Sequence, residues 1–324
     1  MDSLAAAPGT GPATSPLPLL RGPRRAAQFA NLPTDRTVVM GILNCTPDSF
    51  SDGGDYNSLD TAIAHGLRMF YAGADIIDVG GESTRPGAED VDAQEEQRRI
   101  MPVIEALVKA GALVSVDTRH AATAALALDA GAGLINDVSG MHVHADMIEL
   151  IAERQVPYVL MHSRGDSRAM DSLTQYDDVV TDVVDELRDV RERFYAAGVA
   201  PDKIIIDPGI GFSKNADQNW ELLANLDEVA ALGNRVLVGT SRKRFLGTLL
   251  TSAGKAAAPK DRDDATSATT ALAAAQGVWG VRVHDVPASV DAAKVAAREN
   301  AARTARAERL ALAATRAESV EAAL

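Results

Sequence analysis

The sequence predicts an α/β fold, a single-domain (β/α)8 TIM barrel, on three observations. Short apolar runs rich in β-branched residues recur eight times between residues 37 and 298. A longer amphipathic stretch follows each run, and alternating β and α units form parallel sheets. The block spans roughly 260 residues, close to the ~250 typical of a (β/α)8 barrel. A doubly wound open sheet is the alternative that this pattern leaves open.

The eight strand candidates are short and continuously apolar, as expected of parallel strands that are covered on both faces. They span residues 38–43, 75–79, 113–116, 133–135, 157–161, 203–206, 235–238 and 280–283.

The stretches between the strand candidates have helical spacing, and Leu59, Ile63, Leu67 and Phe70 are an example. Glycines mark the helix ends or the turns after them, at Gly73, Gly111, Gly131 and Gly198. The stretch after Ser241 is interrupted by Gly, Lys and Pro at residues 254–261, which predicts an insertion in the seventh unit.

Both ends of the chain differ from the block in composition. Residues 1–36 are rich in Ala, Pro and Gly and predict a flexible leader without an export signal. Residues 299–324 consist mostly of Ala, Arg and Glu and predict a helical tail. No stretch approaches the roughly 18 apolar residues of a membrane span. The expected division is therefore leader 1–36, barrel 37–298 and tail 299–324.

The composition limits the classes of partner. Apolar residues make up 46% of the 324 residues, enough for a large core, and the formal net charge is −13. An acidic surface repels nucleic acid and anionic lipid, so we expect neither as a partner. Cys45 is the one cysteine, which excludes an intrachain disulfide and is typical of a cytoplasmic protein. We expect Cys45 to be a small buried residue and not a nucleophile.

Polar residues follow nearly every predicted strand. In a barrel they gather at the C-terminal face, where barrel enzymes keep their active sites. Solvated turns favour Gly, Asn and Ser, so turn formation alone explains only one or two of these positions. The residues are Asn44, Asp78, Asp117, Asn136, Asp137, His162, Asp207, Ser241, Arg242, Lys243, Arg282 and His284.

The last two strands contribute positive charge. Arg282 and His284 are two residues apart, so on an extended strand they point the same way. With Lys243 they predict a cationic corner after strands seven and eight, where barrels often hold phosphate. A surface ion pair is the alternative for Arg282, and a hydrogen-bonded structural histidine is the alternative for His284.

Strands three, four and six contribute hydrogen-bond acceptors. Asp117, Asn136 and Asp207 suit a flat heterocycle with a donor–donor edge, such as a 2-amino-pyrimidinone. Capping of the next helix is the alternative, above all for Asp117. A zinc site built from His142, His144 and His162 is not expected, because no acidic partner has the spacing of a metal site.

Two loops are longer than the usual 2–6 residues of a βα connection and predict lids over a substrate. The chain reads MGILN at residues 40–44, TPDSFSDGG at 46–54 and GGESTRPG at 80–87. Further along it reads NDVSG at 136–140, DPGIGF at 207–212, GTSRKRF at 239–245 and RVH at 282–284. With these motifs in this order, the chain resembles the dihydropteroate synthase family over about residues 38–298. Cys45 and Ile210 are small departures from the family pattern.

The resemblance implies a Mg²⁺-dependent, homodimeric transferase of folate biosynthesis. It would join 6-hydroxymethyl-7,8-dihydropterin diphosphate to 4-aminobenzoate, the step at which sulfonamides compete. It implies pterin binding by Asp117, Asn136, Asp207 and Lys243. It implies diphosphate binding by Asn44, Thr84, Arg282 and His284, with Asn44 as the metal ligand, and aminobenzoate binding by Phe50, Thr84, Pro86, Phe212, Ser241 and Lys243. The expected catalytic residues are Asp52, Arg85, Lys243, Arg282 and His284.

Two other functions are compatible with such motifs. A pterin-dependent methyltransferase shares the barrel and the Asp and Asn contacts, but it needs neither a diphosphate corner nor the loop at residues 46–54. A paralogue that binds pterin without catalysis is the second alternative, because fold and motifs do not prove turnover. Loss of Asn44, Lys243 or Arg282 would favour it, and all three residues are present.

Overall fold

The computed structural model describes residues 28–46, 54–82, 91–165 and 173–321. Within them, eight parallel strands pair in chain order, and the first pairs with the last to close a barrel. The strands are β1 (Val38–Asn44), β2 (Ile76–Gly80), β3 (Val114–Asp117), β4 (Leu134–Asp137), β5 (Tyr158–Met161), β6 (Ile204–Asp207), β7 (Arg235–Val238) and β8 (Gly280–Val283). The predicted barrel is confirmed, and the open-sheet alternative is wrong.

Helices follow the strands and form the outer layer. They are α1 (Gly54–Tyr71), α2 (Ala93–Lys109), α3 (Ala121–Asp129), α4 (Ala145–Arg154), α5 (Val179–Ala196), α6 (Ala216–Ala224), α7 (Leu226–Ala230), α8 (Arg244–Leu249), α9 (Asp263–Ala275) and α10 (Val286–Glu321). The predicted interruption after β7 separates α8 from α9 and ends in a 3-10 turn at Pro259–Arg262. Gly198, which follows α5, has φ 95°, a left-handed conformation that favours glycine.

The barrel interior has its own apolar core. It takes inward-pointing side chains from β1 to β7, in β3 from the residue before the strand: Val38, Met40, Ile76, Leu113, Leu134, Val159, Ile205 and Leu237. Phe29, Leu32 and Trp279 pack beneath it at the N-terminal end of the barrel. At the same end, both guanidinium NH2 nitrogens of Arg36 donate to Asp75, each over 2.7 Å. This end is therefore closed by packing and an ion pair.

A larger apolar core lies between the strands and the helices. It is mostly aliphatic, with the tilted pair of Tyr158 and Phe194 as an aromatic contact at 4.7 Å between ring centroids. The first part of α10 packs on α9 and β1, up to Asn300, whose Nδ2 donates to the carbonyl of Ala274 over 3.2 Å. Beyond it α10 continues as the predicted helical tail. No helix in the described part of the chain combines the length and the apolar character needed to cross a membrane.

Candidate active site

Alternation along the strands explains which side chains meet inside the barrel. Residues two apart on a strand point to the same face. Ile76 belongs to the inner core, so Asp78 also points inward and is fully buried. The same step of two separates Leu134 from Asn136, Ile205 from Asp207, and Gly280 from Arg282. The polar side chains therefore form a layer directly above the inner core, at the C-terminal end of the barrel.

Arg282 lies at the centre of this layer. Its Nε donates to Asp78 Oδ2 over 2.6 Å, and its Nη2 donates to Asp117 Oδ2 over 2.5 Å. Asn136 Nδ2 also donates to Asp78 Oδ2, over 3.0 Å. Burial alone would lower the pKa of Arg282, but the two carboxylates outweigh it and raise that pKa above its ordinary value. Arg282 thus joins β2, β3 and β8 through buried contacts and is not the surface ion pair of the alternative prediction.

Asp117 is a buried acid with competing neighbours. Burial raises its pKa to about 7; Arg282 opposes the shift, and the nearby Asp78 carboxylate adds to it. The N-cap residue of α3 is His120, so the alternative prediction that Asp117 caps this helix is wrong. Oδ1 of Asp78 is buried and has no hydrogen-bond partner among the described residues. This layer therefore holds an acceptor that is available to a ligand.

Asp207 and Lys243 form the opposite part of the site. Asp207 Oδ1 accepts the backbone N–H of Gly209 over 2.8 Å, and burial raises the pKa of this carboxyl group. Burial lowers the pKa of Lys243 to about 7, against the pull of Asp207. The ammonium nitrogen of Lys243 lies 3.8 Å from the centroid of the Phe212 ring, within the range of a cation–π contact.

The turn after β7 is fixed from outside the barrel. Arg242 has φ 59°, and its guanidinium makes two parallel hydrogen bonds to Asp263 at 2.7 Å each. Arg262 donates to the carbonyl of Arg242 over 2.8 Å. This geometry turns the Arg242 side chain towards α9. Its neighbour Ser241 is buried, and Lys243 is half-buried.

Ser241 and His284 are in contact. The Ser241 hydroxyl accepts the backbone N–H of His284 over 3.1 Å and lies 2.9 Å from His284 Nδ1. Because that oxygen already accepts a backbone proton, its own proton is available to Nδ1. The contact holds the end of β8 against the turn after β7.

Two neighbouring residues lie at the end of the first strand and directly after it. Asn44 lies at the end of β1, half-buried, and belongs to the site face. Cys45 is buried, as predicted, and burial raises the pKa of its thiol to about 12. The described residues hold no cluster of three or more His, Cys, Asp or Glu side chains suited to a metal.

Five of the predicted site residues lie outside the described ranges. They are Phe50, Asp52, Thr84, Arg85 and Pro86.

Comparison with known proteins identifies the family. The family model described as "Pterin binding enzyme" matches residues 40–284. The chain belongs to the pterin-binding enzyme family. It is 50% identical over 259 residues to dihydropteroate synthase of Mycobacterium leprae, an alignment that covers 79% of this chain and 91% of that protein.

Solved structures agree with this membership. A Xanthomonas albilineans dihydropteroate synthase with 4-aminobenzoic acid has a TM-score of 0.74 at 44% identity, covering 81% of this chain and 92% of that one. A Yersinia pestis dihydropteroate synthase in complex with a sulfonamide drug has a TM-score of 0.77 at 43% identity, covering 83% and 96%.

Sequence reasoning missed two parts of this pterin-binding enzyme's site. Asp78 was noted after strand two but given no role, although it binds both Arg282 and Asn136. Lys214 was not singled out, although it is buried beside His162. Asp78 could have been found because it lies two residues after the apolar Ile76 on the same strand, and therefore on the same face. Lys214 could have been found as a lysine two residues after the DPGIGF motif.

Proposed function

We infer that this chain is a dihydropteroate synthase. It joins 6-hydroxymethyl-7,8-dihydropterin diphosphate to 4-aminobenzoate and gives 7,8-dihydropteroate and pyrophosphate. One observation carries the inference: buried carboxylates and half-buried cations face each other above the inner core of a chain that is half identical to a dihydropteroate synthase.

We propose that Asp207, Asn136, Asp117 and Lys243 bind the pterin. A carboxylate accepts two parallel N–H bonds from a 2-amino-pyrimidinone edge. Asp207 suits that role, since the N–H of Gly209 fixes one of its oxygens in orientation. Asn136 adds an amide that both donates and accepts. Asp117, with its pKa near 7, is able to accept or to donate at neutral pH.

Arg282 and His284, with Asn44 and Thr84, are proposed to hold the diphosphate and stabilise its departure. The C–O bond to the diphosphate breaks, and its electron pair leaves with pyrophosphate. Preorganised cations in a site that excludes water lower the energy of such a charge. The exocyclic carbon of the pterin becomes electron-poor, and the buried carboxylates Asp78 and Asp117 favour a positive charge nearby.

The nitrogen of 4-aminobenzoate then forms the new C–N bond and loses a proton. An aromatic amine is nucleophilic without deprotonation, so no strong base is required. Phe212 offers a flat apolar surface for the ring, and Ser241 offers a hydroxyl. Phe50, Thr84 and Pro86 complete the proposed aminobenzoate site. Their loops, with Asp52 and Arg85 as catalytic residues, would exclude water from the cation.

Mg²⁺ fits the proposed site if the substrate supplies most of its ligands. Mg²⁺ prefers oxygen ligands, keeps several waters and is often held by one or two protein groups and substrate phosphates. Asn44 carries an amide oxygen at the end of β1, which suits a single protein ligand. When bound, the ion would neutralise charge on the diphosphate.

We also propose that the enzyme is a cytoplasmic homodimer. A single buried cysteine is compatible with a reducing compartment. The last two helices carry exposed large apolar side chains, which favour an interface there. These exposed side chains are Leu272, Val295, Leu310 and Leu312. Light scattering coupled to gel filtration tests whether the protein is a dimer.

Pyrophosphate release by the purified protein tests the proposed function. We expect release only when the pterin diphosphate, 4-aminobenzoate and Mg²⁺ are all present. Asp207→Asn should weaken pterin binding measured by calorimetry. Asp75→Asn is the matched control, because it makes the same change in an ion pair at the opposite end of the barrel.

The same assay separates the two alternatives. Binding of the pterin diphosphate without any release would indicate the silent paralogue. Methyl transfer to or from a folate would indicate the methyltransferase. Normal pterin affinity in Asp207→Asn would refute the role of this carboxylate, and unchanged turnover in Arg282→Ala would refute the diphosphate assignment.

A further inference from the structure

A buried lysine lies next to the site without belonging to the proposed set of substrate ligands. Lys214 is 7% exposed and lies two residues beyond Phe212. Its Nζ donates to the backbone carbonyls of Gly209 and Phe212, over 3.2 and 3.1 Å. One ammonium group therefore holds both ends of the turn at residues 209–212, which connects Asp207 to Phe212.

The third partner of Lys214 belongs to the neighbouring strand. Lys214 Nζ donates to His162 Nδ1 over 2.9 Å, and His162 Nε2 lies 2.8 Å from Glu186 Oε2. Glu186 on α5 is in turn paired with Arg164. The chain of contacts runs from α5 through the end of β5 to the turn after β6. It ties that turn to parts of the barrel that carry no proposed substrate contact.

The protonation state of His162 agrees with its role as an acceptor, and burial lowers the pKa of Lys214 to about 7 against the pull of Asp207. Burial lowers the pKa of His162 to about 4, so its ring is neutral at neutral pH. A neutral ring that donates from Nε2 to Glu186 must accept at Nδ1, and that acceptor faces Lys214. Burial raises the pKa of Glu186, but its hydrogen bonds to His162 and Arg164 outweigh this and lower it to about 2.

Hydrogen bonds and close packing also fix the position of this turn. Ser213 has φ 50°, its hydroxyl donates to the carbonyl of Arg164 over 2.6 Å, and its own carbonyl accepts from Tyr176 over 3.0 Å. A Cβ on Gly211 would lie 2.6 Å from the Lys243 side chain. The turn therefore sets the distance between the Phe212 ring and the ammonium of Lys243.

We propose that Lys214 is a positioning residue that holds the turn at residues 209–212 and thereby keeps Phe212 against Lys243 for 4-aminobenzoate. The proposal rests on the proposed function for its substrate. Asp207 belongs to β6, whereas Phe212 lies five residues further along the turn. Loss of the Lys214 contacts should therefore affect aminobenzoate more than pterin.

Lys214→Met tests the proposal, since methionine has a similar length and no ammonium. Hydrogen exchange measured by mass spectrometry should show faster exchange of the backbone amides at residues 211–213, with the Gly209 amide still held by Asp207. The KM for 4-aminobenzoate should rise at least tenfold, and the calorimetric affinity for the pterin diphosphate should change less than threefold. Lys203→Met, at the opposite end of β6, is the control and should change neither measurement.

His162 provides a second pair of variants in case Lys214→Met does not fold. His162→Asn keeps an acceptor near the position of Nδ1, whereas His162→Leu removes it. We expect His162→Leu to reproduce the faster exchange and the higher KM, and His162→Asn to restore at least part of both. A merely structural role would make the two variants equivalent in KM at equal melting temperature.

The outcomes distinguish this proposal from the proposed function. Unchanged exchange of the turn in Lys214→Met, or an equal loss of pterin and aminobenzoate affinity, would overturn the positioning role. Faster exchange in Lys214→Met, combined with no pyrophosphate release by the wild-type protein, would support the role of Lys214 in holding the turn and refute the proposed reaction.

Discussion

Gly209→Ala should destabilise the protein far more than Gly198→Ala, although both glycines have positive φ. The φ angles are 68° and 95°. A Cβ on Gly209 would lie 1.8 Å from the backbone oxygen of His162, whereas a Cβ on Gly198 meets nothing within 4 Å. The pair therefore separates backbone strain, which both variants share, from a steric clash that only one of them has.

The structure gives a magnitude for each variant. A left-handed conformation costs an L-residue about 1–2 kcal/mol, and a reduced entropy of the unfolded chain returns about 0.4–1 kcal/mol. Gly198→Ala should thus lower the free energy of unfolding by about 1 kcal/mol. At Gly209 the turn must also move by about 1 Å to bring the Cβ beyond 3.0 Å. Overpacking costs about 1–3 kcal/mol and a lost buried hydrogen bond about 1 kcal/mol, so the total is about 3 kcal/mol or more.

Urea unfolding followed by far-ultraviolet circular dichroism measures the difference. We expect the midpoint of Gly209→Ala to fall by at least twice as much as that of Gly198→Ala, with equal slopes. Gly209→Ala should also weaken pterin binding, because the N–H of Gly209 orients Asp207. Equal midpoints for the two variants would refute the close approach of this turn to β5.

Three further predictions concern buried groups. The pKa of His162 is lowered to about 4 from 6.5, so this ring binds a proton more readily in the unfolded chain. The free energy of unfolding should therefore fall by about 3 kcal/mol as the pH drops from 6.5 to 4. In urea titrations at these pH values, His162→Gln should lose less unfolding free energy than the wild type. Asp78→Asn removes a fully buried carboxylate from Arg282 and should cost about 3 kcal/mol of unfolding free energy. Asp75→Asn should cost about 1 kcal/mol, because the Asp75 side chain is 12% exposed. Cys45 should react with iodoacetamide only in denaturant, as mass spectrometry would detect, and modification of the native protein would contradict its burial.

The strands were the part of the fold that could be predicted well. A short, continuous apolar run bounded by turn residues is a local pattern, and seven of the eight predicted runs start and end within one residue of the observed strands, while β4 ends two residues beyond its predicted run. Once the strand ends are known, alternation also predicts which polar residues point inward. Asn136 and Asp207 follow directly from the inner-core positions two residues before them.

The partners of these residues could not be predicted in the same way. Arg282 and Asp78 are 204 positions apart in the sequence, and Lys214 and His162 are 52 apart. Residue types at strand ends reveal which charges gather at one face, but not which of them pair. Arg282 was therefore predicted as a cation for diphosphate, without the two carboxylates that it contacts in the structure.

The step of two between inner core and polar layer has a consequence for how this chain changes over evolution. A substitution in the polar layer leaves the packing of the inner core intact, because the core residues and the site residues occupy different positions of each strand. Deletion of one residue within β4 or β6 would rotate Asn136 or Asp207 towards the helices and bring an aliphatic side chain into the site. Length variation among descendants of this gene is thus expected in the connections, and the eight strands should keep their residue count.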